Sequence, residues 1–375
     1  MEGEKINNSK TINELLEAIA ETLNINNEMR DRAISSYTAL GTYLDNNIDY
    51  KVDIYAQGSF KLGTIIKPIN EEDDYDIDLV CEIQHNFDNA AVLKNTVGKE
   101  IKNSPRYSKM LKTEEGKRCW TLEYNDAFNF HMDVLPAMPY ANATDEKIRI
   151  TNFENGIYSF KHSNPTGYAK WFLRKCELDK NNTSRSLVED VKKAEYQPPR
   201  SVLQKTIQLL KRHRDVIYSS KSEIEQEDKP ISIIITTLVA HLYTGQESIY
   251  ELLNKFVNNY KEYIKKDSSG NDYIENPVDT GENFADKWIA YPKRRTAFYE
   301  WVKKVEADLI NDSYYITDRI SQANHLKSIF GADTIKKTYI LLESNAKKSI
   351  NTNEGKPHIS SENGKNIKPH HFYGK

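Results

Sequence analysis

Apolar residues recur at helical spacing at Ile12, Leu15, Leu16 and Ile19, then again at Met29, Ala33, Tyr37, Leu40 and Leu44. Asn26 and Asn27 precede the second run and suit an N-cap, so two helices should open the chain. The period then changes to two. Val52, Ile54 and Ala56 alternate with Asp53 and Tyr55 in a strand that runs directly into Gly58-Ser59. Ile77 and Leu79 alternate with Asp76, Asp78 and Val80, which predicts a strand whose polar face begins with two carboxylates. Phe128, Phe130 and Met132 alternate with Asn129, His131 and Asp133, and Leu135-Pro136 is expected to end that third strand.

A polar stretch over 180–200, closing on Gln197-Pro198-Pro199-Arg200, reads as a linker or long loop. Beyond residue 200 the pattern is mostly helical. Val202, Thr206, Leu209 and Leu210 fall on one face of a helix that also carries Lys211-Arg212-His213-Arg214, and 231–243 is apolar enough for a buried helix. From about Asn345 the apolar pattern stops, and the Asn-, Lys-, Gly-, Pro- and Ser-rich stretch 349–375 is expected to be disordered. No internal repeat is apparent. The order of elements predicts an α+β protein in three parts: a mixed-sheet core with the N-terminal helices over 1–200, a helical lobe over 201–345, and a flexible tail over 346–375.

With 375 residues, 38% of them apolar, the chain can bury a substantial core. No apolar run approaches the roughly 20 residues that a bilayer span requires, and the first residues are polar, so neither membrane insertion nor export is expected. Cys81, Cys119 and Cys176 are far apart and form no C-x-x-C pair, which argues against a disulfide framework or structural zinc and fits a reducing cytoplasm. A net charge of -3 lacks the positive surplus expected of a protein that holds long nucleic acid. Small charged ligands are the expected partners.

Asp-x-Asp alone is commonly a solvated strand end, and Gly-Ser a turn. Here Gly58-Ser59 ends one strand, Asp76 and Asp78 project together from the next, and Asp133 lies on the polar face of another. That set suits metal-dependent nucleotidyl transfer, in which one ion lowers the pKa of an attacking hydroxyl and a second steadies the leaving group. Oxygen ligands favour Mg2+, with Mn2+ as the alternative; Asp76 and Asp78 can bridge two ions and Asp133 would hold the one beside the hydroxyl. Gly58 lets backbone N–H groups approach phosphate oxygens, and the Ser59 hydroxyl can donate to them. The Gly58 to Gly63 spacing is that of a P-loop, but Thr64 stands where that motif requires lysine. A non-catalytic nucleotide-binding module would be expected to have lost a carboxylate, and all three are present.

Through these residues the chain resembles the polymerase-β-like nucleotidyltransferases, and more narrowly the cGAS/DncV-like nucleotidyltransferases that make cyclic oligonucleotide messengers in bacterial CBASS anti-phage systems. The resemblance continues through Gln208-Leu209-Leu210-Lys211-Arg212-His213-Arg214-Asp215, Lys229-Pro230-Ile231-Ser232, Asn276-Pro277-Val278 and Glu282-Asn283-Phe284-Ala285-Asp286-Lys287-Trp288. It implies a polymerase-β-like core with an active cleft between the lobes, ATP and other NTPs such as GTP as substrates, and a cyclic di- or trinucleotide product with release of pyrophosphate. A linear oligonucleotide synthase or another polymerase-β-like nucleotidyltransferase is the alternative within the superfamily.

The same resemblance implies that Lys211 and Ser232 contact the donor triphosphate opposite Gly58-Ser59, with Arg212 and Arg214 solvated or paired with Asp215. Relatives often follow that serine with an aromatic residue that stacks on a base, whereas Ile233 stands here. The motif from Asn276 to Trp288 resembles a structural cap and core element, in which Asn283 could orient backbone near the cleft. His131 is expected to be merely hydrogen-bonded. Animal cyclic GMP-AMP synthase senses DNA through a zinc-binding insertion, and this sequence has no such Cys and His cluster, so sequence-specific DNA binding is not expected. The end, Pro369-His370-His371-Phe372-Tyr373-Gly374-Lys375, resembles the tails that ubiquitin-transfer-like conjugating enzymes act on, although such tails generally end in glycine and Lys375 stands beyond Gly374.

Overall fold

The computed structural model describes residues 2–70, 74–125, 129–140, 146–179, 199–311, 318–353 and 356–359. Two helices open the chain, α1 (Glu2–Thr22) and α2 (Asn27–Asn47), and the side chain of Asn26 caps the second by accepting the Met29 N–H at 2.7 Å. Strands β1 (Val52–Gln57) and β2 (Tyr75–Ile83) flank a single-turn helix, α3 (Gly58–Leu62). Helix α4 (Ala90–Asn103) leads to β3 (Trp120–Tyr124), β4 (Phe130–Pro139), β5 (Ile148–Glu154), β6 (Ile157–Ser163) and helix α5 (Pro165–Cys176).

These strands form one mixed sheet in the order β1-β2-β4-β5-β6, with β3 also on β4. Only β2 and β4 run parallel. The alternation along β2 sends Tyr75, Ile77 and Leu79 into a core shared with Met29, Leu40 and Leu44 of α2 and Leu93, Val97 and Ile101 of α4. Beyond Leu79, Val80 enters a small core on the opposite face, with Leu135, Ala137, Ile148 and Ile150. The sheet is therefore covered on both faces in its far half, and its polar start is left open.

Pro136 does not end the third strand, which continues to Pro139. The reason lies in the edge that β4 offers away from β2: β3 pairs there as far as Val134 and β5 begins at Ala137. Leu135 and Pro136 fall in the gap between those partners, where proline's missing N–H breaks neither ladder. Phe128 and the expected linker through residue 198 lie outside the described residues.

The helical lobe contains α6 (Val202–Ser219), α7 (Glu223–Gln226), α8 (Ser232–Leu242) and α9 (Ile249–Asn259), followed by short hairpins and the helices Pro292–Val305, Arg319–Phe330 and Ala332–Ser349. Ser201 and Gln204 form a capping box at the start of α6. Packing cuts across the expected division at residue 200. Ile12, Leu16, Ile19 and Leu23 of the α1 region, and Phe172 and Cys176 of α5, share a core with Leu203, Leu210, Leu238 and Phe256. The apolar stripe of α1 thus completes the helical lobe, because α2 and α4 already cover the sheet's apolar face. Ala285 and Trp288 belong to the same core, and Asn283 Oδ1 accepts the N–H groups of Ile274 and Ala285 at 2.9 and 2.8 Å, so this motif is structural.

The final helix carries regular structure past residue 345, and Ile350–Asn353 pairs antiparallel with Lys356–Ile359 where the sequence led to an expectation of disorder. Ile350, Thr352 and Ile359 are β-branched, a type that favours extended backbone. Residues 360–375, with the terminal motif, lie outside the described residues. No helix among the described residues is long and apolar enough to cross a membrane.

Ile19 is fully buried. Ile19→Ala should cost about 2–5 kcal/mol in chemical denaturation if α1 is part of the helical-lobe core. A change close to that of an exposed substitution would contradict the placement.

Candidate active site

Strand register brings the carboxylates together. Asp78 of β2 lies opposite Asp133 of β4, and Asp76 lies opposite His131, so all four side chains share the open face of the parallel pair. Thr121, opposite Asp133 on β3, donates its hydroxyl to Asp133 Oδ1 at 2.5 Å and fixes that carboxylate. On the other side Asp78 faces Gln57, the last residue of β1. The chain then turns through Gly58 at φ +63, where an added Cβ would lie 2.0 Å from Asp78 Oδ2. Gly58 is thus required twice, by its backbone conformation and by the carboxylate pressed against it.

Asp78 is withdrawn from water beside Asp133 and Asp76, which pushes its carboxyl up to about 7 against the pull of Lys211. Asp76 is raised as well, by reduced hydration and by Asp133, with His131 and Lys211 opposing. Its side chain is 77% accessible, so water screens much of that shift and the elevation of Asp76 weighs less than that of Asp78. His131 Nε2 lies 3.2 Å from Asp74 Oδ2 and 3.7 Å from Glu123 Oε1, and Nδ1 lies 4.0 Å from Asp76 Oδ1. It therefore stands among three carboxylates at the open face of the sheet.

As the side chains lie, no three His, Cys, Asp or Glu residues among the described residues stand close enough to coordinate an ion. The donor chemistry nevertheless fits a hard divalent cation. Three carboxylates share one face, and the elevation of Asp78 is the unfavourable energy that a cation would relieve.

Helix α6 forms the opposite wall, and a row of its side chains holds the segment between α3 and β2 by its carbonyls. Gln204 Nε2 donates to Leu62 O at 2.8 Å, Lys211 Nζ to Thr64 O at 3.0 Å and Gln208 Nε2 to Ile65 O at 2.8 Å. Arg212 Nη2 donates to Lys67 O at 2.7 Å and to Pro68 O at 3.0 Å. Burial and the neighbouring Arg214 lower Lys211 to about 8, while Asp215, Asp76 and Asp78 oppose the fall. Ser232 begins α8, and its Oγ accepts from Arg214 Nη1 at 2.9 Å.

Gly58, Ser59, Asp76, Asp78, Asp133, Lys211 and Ser232 all line one cleft of about 580 Å³. Arg214 pairs with Asp215 as expected and is also spent on Pro230 and Ser232, whereas Arg212, 2% exposed, is neither solvated nor paired with Asp215, because it ties down carbonyls. Arg214, Asp215 and Tyr218 also line the cleft, and Asn283 is not among the residues lining it. Gln204 and Gln208 were missed as contacts between the lobes. Their spacing with Lys211 and Arg212 marks one helical face, a signal available in the sequence.

Comparison with known proteins matches residues 10–175 to the family described as the Second Messenger Oligonucleotide or Dinucleotide Synthetase domain. The chain is 29% identical over 342 residues to a c-di-GMP synthase of Roseivirga ehrenbergii, covering 87% of this chain and 86% of that protein. It is 23% identical over 312 residues to the cyclic dinucleotide synthase CdnG of Bradyrhizobium diazoefficiens, covering 76% and 72%. The structure of the Bradyrhizobium CD-NTase CdnG in complex with GTP superposes with a TM-score of 0.68 at 19% identity, over 89% of this chain and 99% of that one. The apo form of Vibrio cholerae DncV gives 0.55 at 15% identity, over 86% and 79%. These two superpositions establish the fold.

The elevated Asp78 makes a stability prediction. Between the ordinary aspartate value near 4 and about 7 the folded state holds more protons than the unfolded chain, so stability falls as pH rises through that window. In a chelating buffer, Asp78→Asn should therefore raise the melting temperature at about pH 8.5 and change it little at about pH 5. An equal effect at both pH values would show that Asp78 carries no such burden.

Proposed function

We propose that the chain is a cGAS/DncV-like nucleotidyltransferase of the polymerase-β-like superfamily and that it joins two or three nucleoside triphosphates, ATP and GTP among them, into a cyclic oligonucleotide with release of pyrophosphate. The observation that carries this reading is the gathering of three carboxylates, Gly58-Ser59, Lys211 and Ser232 on the walls of one nucleotide-sized cleft.

In this reading Asp76, Asp78 and Asp133 hold two divalent cations. Magnesium, with manganese as the alternative, would lower the pKa of the attacking hydroxyl and neutralise charge on the departing pyrophosphate. Thr121 keeps the Asp133 carboxylate turned towards the cleft. Gly58 brings backbone close to the triphosphate, and Ser59 donates its hydroxyl to it. Lys211, charged over most of the neutral range at about 8, spends one N–H on the Thr64 carbonyl and has others to offer a phosphate oxygen, and Ser232 closes the same wall. The 2′- or 3′-hydroxyl of a second nucleotide then attacks the α-phosphate in line, and a second round closes the ring.

Support for cyclisation comes from the two sequence relatives, both named as cyclic dinucleotide synthases. The proposed setting is CBASS anti-phage signalling in the cytoplasm, with which three free, unpaired cysteines agree. A ubiquitin-transfer-like partner at the tail rests on the terminal resemblance alone.

Incubation with ATP, GTP, CTP and UTP in Mg2+, followed by phosphatase digestion and mass analysis, should yield a phosphatase-resistant cyclic product. Linear products alone would point to the oligonucleotide-synthase alternative. Joint substitution of Asp76 and Asp78 by Asn should lower pyrophosphate release by at least about 100-fold while circular dichroism stays unchanged.

A further inference from the structure

Arg214 lies on α6 one turn beyond Lys211 and lines the same cleft, yet its bonds are spent on the protein. Its Nη1 donates to Pro230 O and to Ser232 Oγ, both at 2.9 Å, which commits both hydrogens of that nitrogen. Its Nε donates to Asp215 Oδ1 at 2.9 Å, and Nη2 lies 2.8 Å from the same oxygen. Asp215 thereby meets the guanidinium charge, and Lys229 Nζ stands 3.4 Å from the same oxygen. An arginine so engaged is poorly placed to bind phosphate itself. It is well placed to hold a hydroxyl.

An arginine N–H can only donate, so Ser232 Oγ is the acceptor in their hydrogen bond and its own hydrogen is left to point elsewhere. Among the described residues no protein acceptor takes that hydrogen, and Ser232 lines the cleft. The bond to Pro230 O fixes the backbone just before α8, so hydroxyl and helix start are tethered to one guanidinium. A serine free to rotate would accept from water or from Lys211 as readily as it would donate.

We propose that Arg214 is a positioning residue that holds Ser232 as a hydrogen-bond donor to the triphosphate of the bound nucleotide. This rests on the reading of Ser232 as a triphosphate contact. Arg214 acts through the serine, without touching the nucleotide, and its charge is balanced by Asp215 throughout.

The test is a double-mutant cycle on apparent KM and kcat, read by pyrophosphate release from an equimolar mixture of the four NTPs in Mg2+. Ser232→Ala is expected to raise KM about tenfold, and Arg214→Met to raise it by a similar factor with kcat changed less than about threefold. The double variant should show a KM no higher than either single variant. Multiplied effects in the double variant, or a wild-type KM for Arg214→Met, would overturn the proposal. A wild-type KM for Ser232→Ala would instead remove the triphosphate contact on which it rests. Should Arg214→Met melt early, Arg214→Lys, which keeps a cationic donor beside Asp215, takes its place. It should restore KM to within about threefold of wild type in the Ser232 background and have no effect on KM beside Ser232→Ala.

Discussion

The structure depends on a row of buried side chains along one face of α6. Gln204, Gln208, Lys211 and Arg212 each donate to a carbonyl in the segment from Leu62 to Pro68, and that segment joins the Gly58-Ser59 turn to the strand carrying Asp76 and Asp78. An irregular segment of this kind has carbonyls that no sheet or helix can satisfy. Burying them without partners would cost about 1–3 kcal/mol apiece. Because the helical lobe supplies those partners, the two cleft walls are set against each other by hydrogen bonds of defined length and direction, which apolar packing alone would not impose.

That arrangement also places opposite charges across the cleft. Asp78 is driven towards protonation by Asp133 and Asp76, and Lys211 is driven towards deprotonation by its own burial and by Arg214. Each shift reports a charge held in a setting that disfavours it in the absence of ligand. Metal ions and a triphosphate would relieve both, so the cleft holds in reserve part of the free energy with which it would bind them. Gly58 fits the same logic, since its missing side chain is what lets Asp78 stand at the floor of the cleft.

Much of this was legible in the chain. Period-two alternation located β1, β2 and the start of β4, and it put Asp76, Asp78, His131 and Asp133 on polar faces, as found. Helical spacing located α1, α2, α6 and α8. Three readings went astray for reasons outside local pattern. Pro136 is tolerated because the neighbouring edge happens to change partners there. The first helix joins the helical lobe because others already cover the sheet. The basic run on α6 is buried because its donors meet carbonyls that lie far away in sequence.

The sequence by itself determined which residues could share a face, since side-chain direction follows from backbone period and each element carries its own. It also held the residue types suited to phosphate and divalent metal chemistry. Only the tertiary structure decided that Asp78 would face Asp133, that Lys211 would reach Thr64, and that Arg214 would be committed to Ser232. Strand register, the seat of α6 on the Leu62–Pro68 segment and the entry of α8 are relations between distant segments, and they are set by the packing and hydrogen bonding of the whole chain.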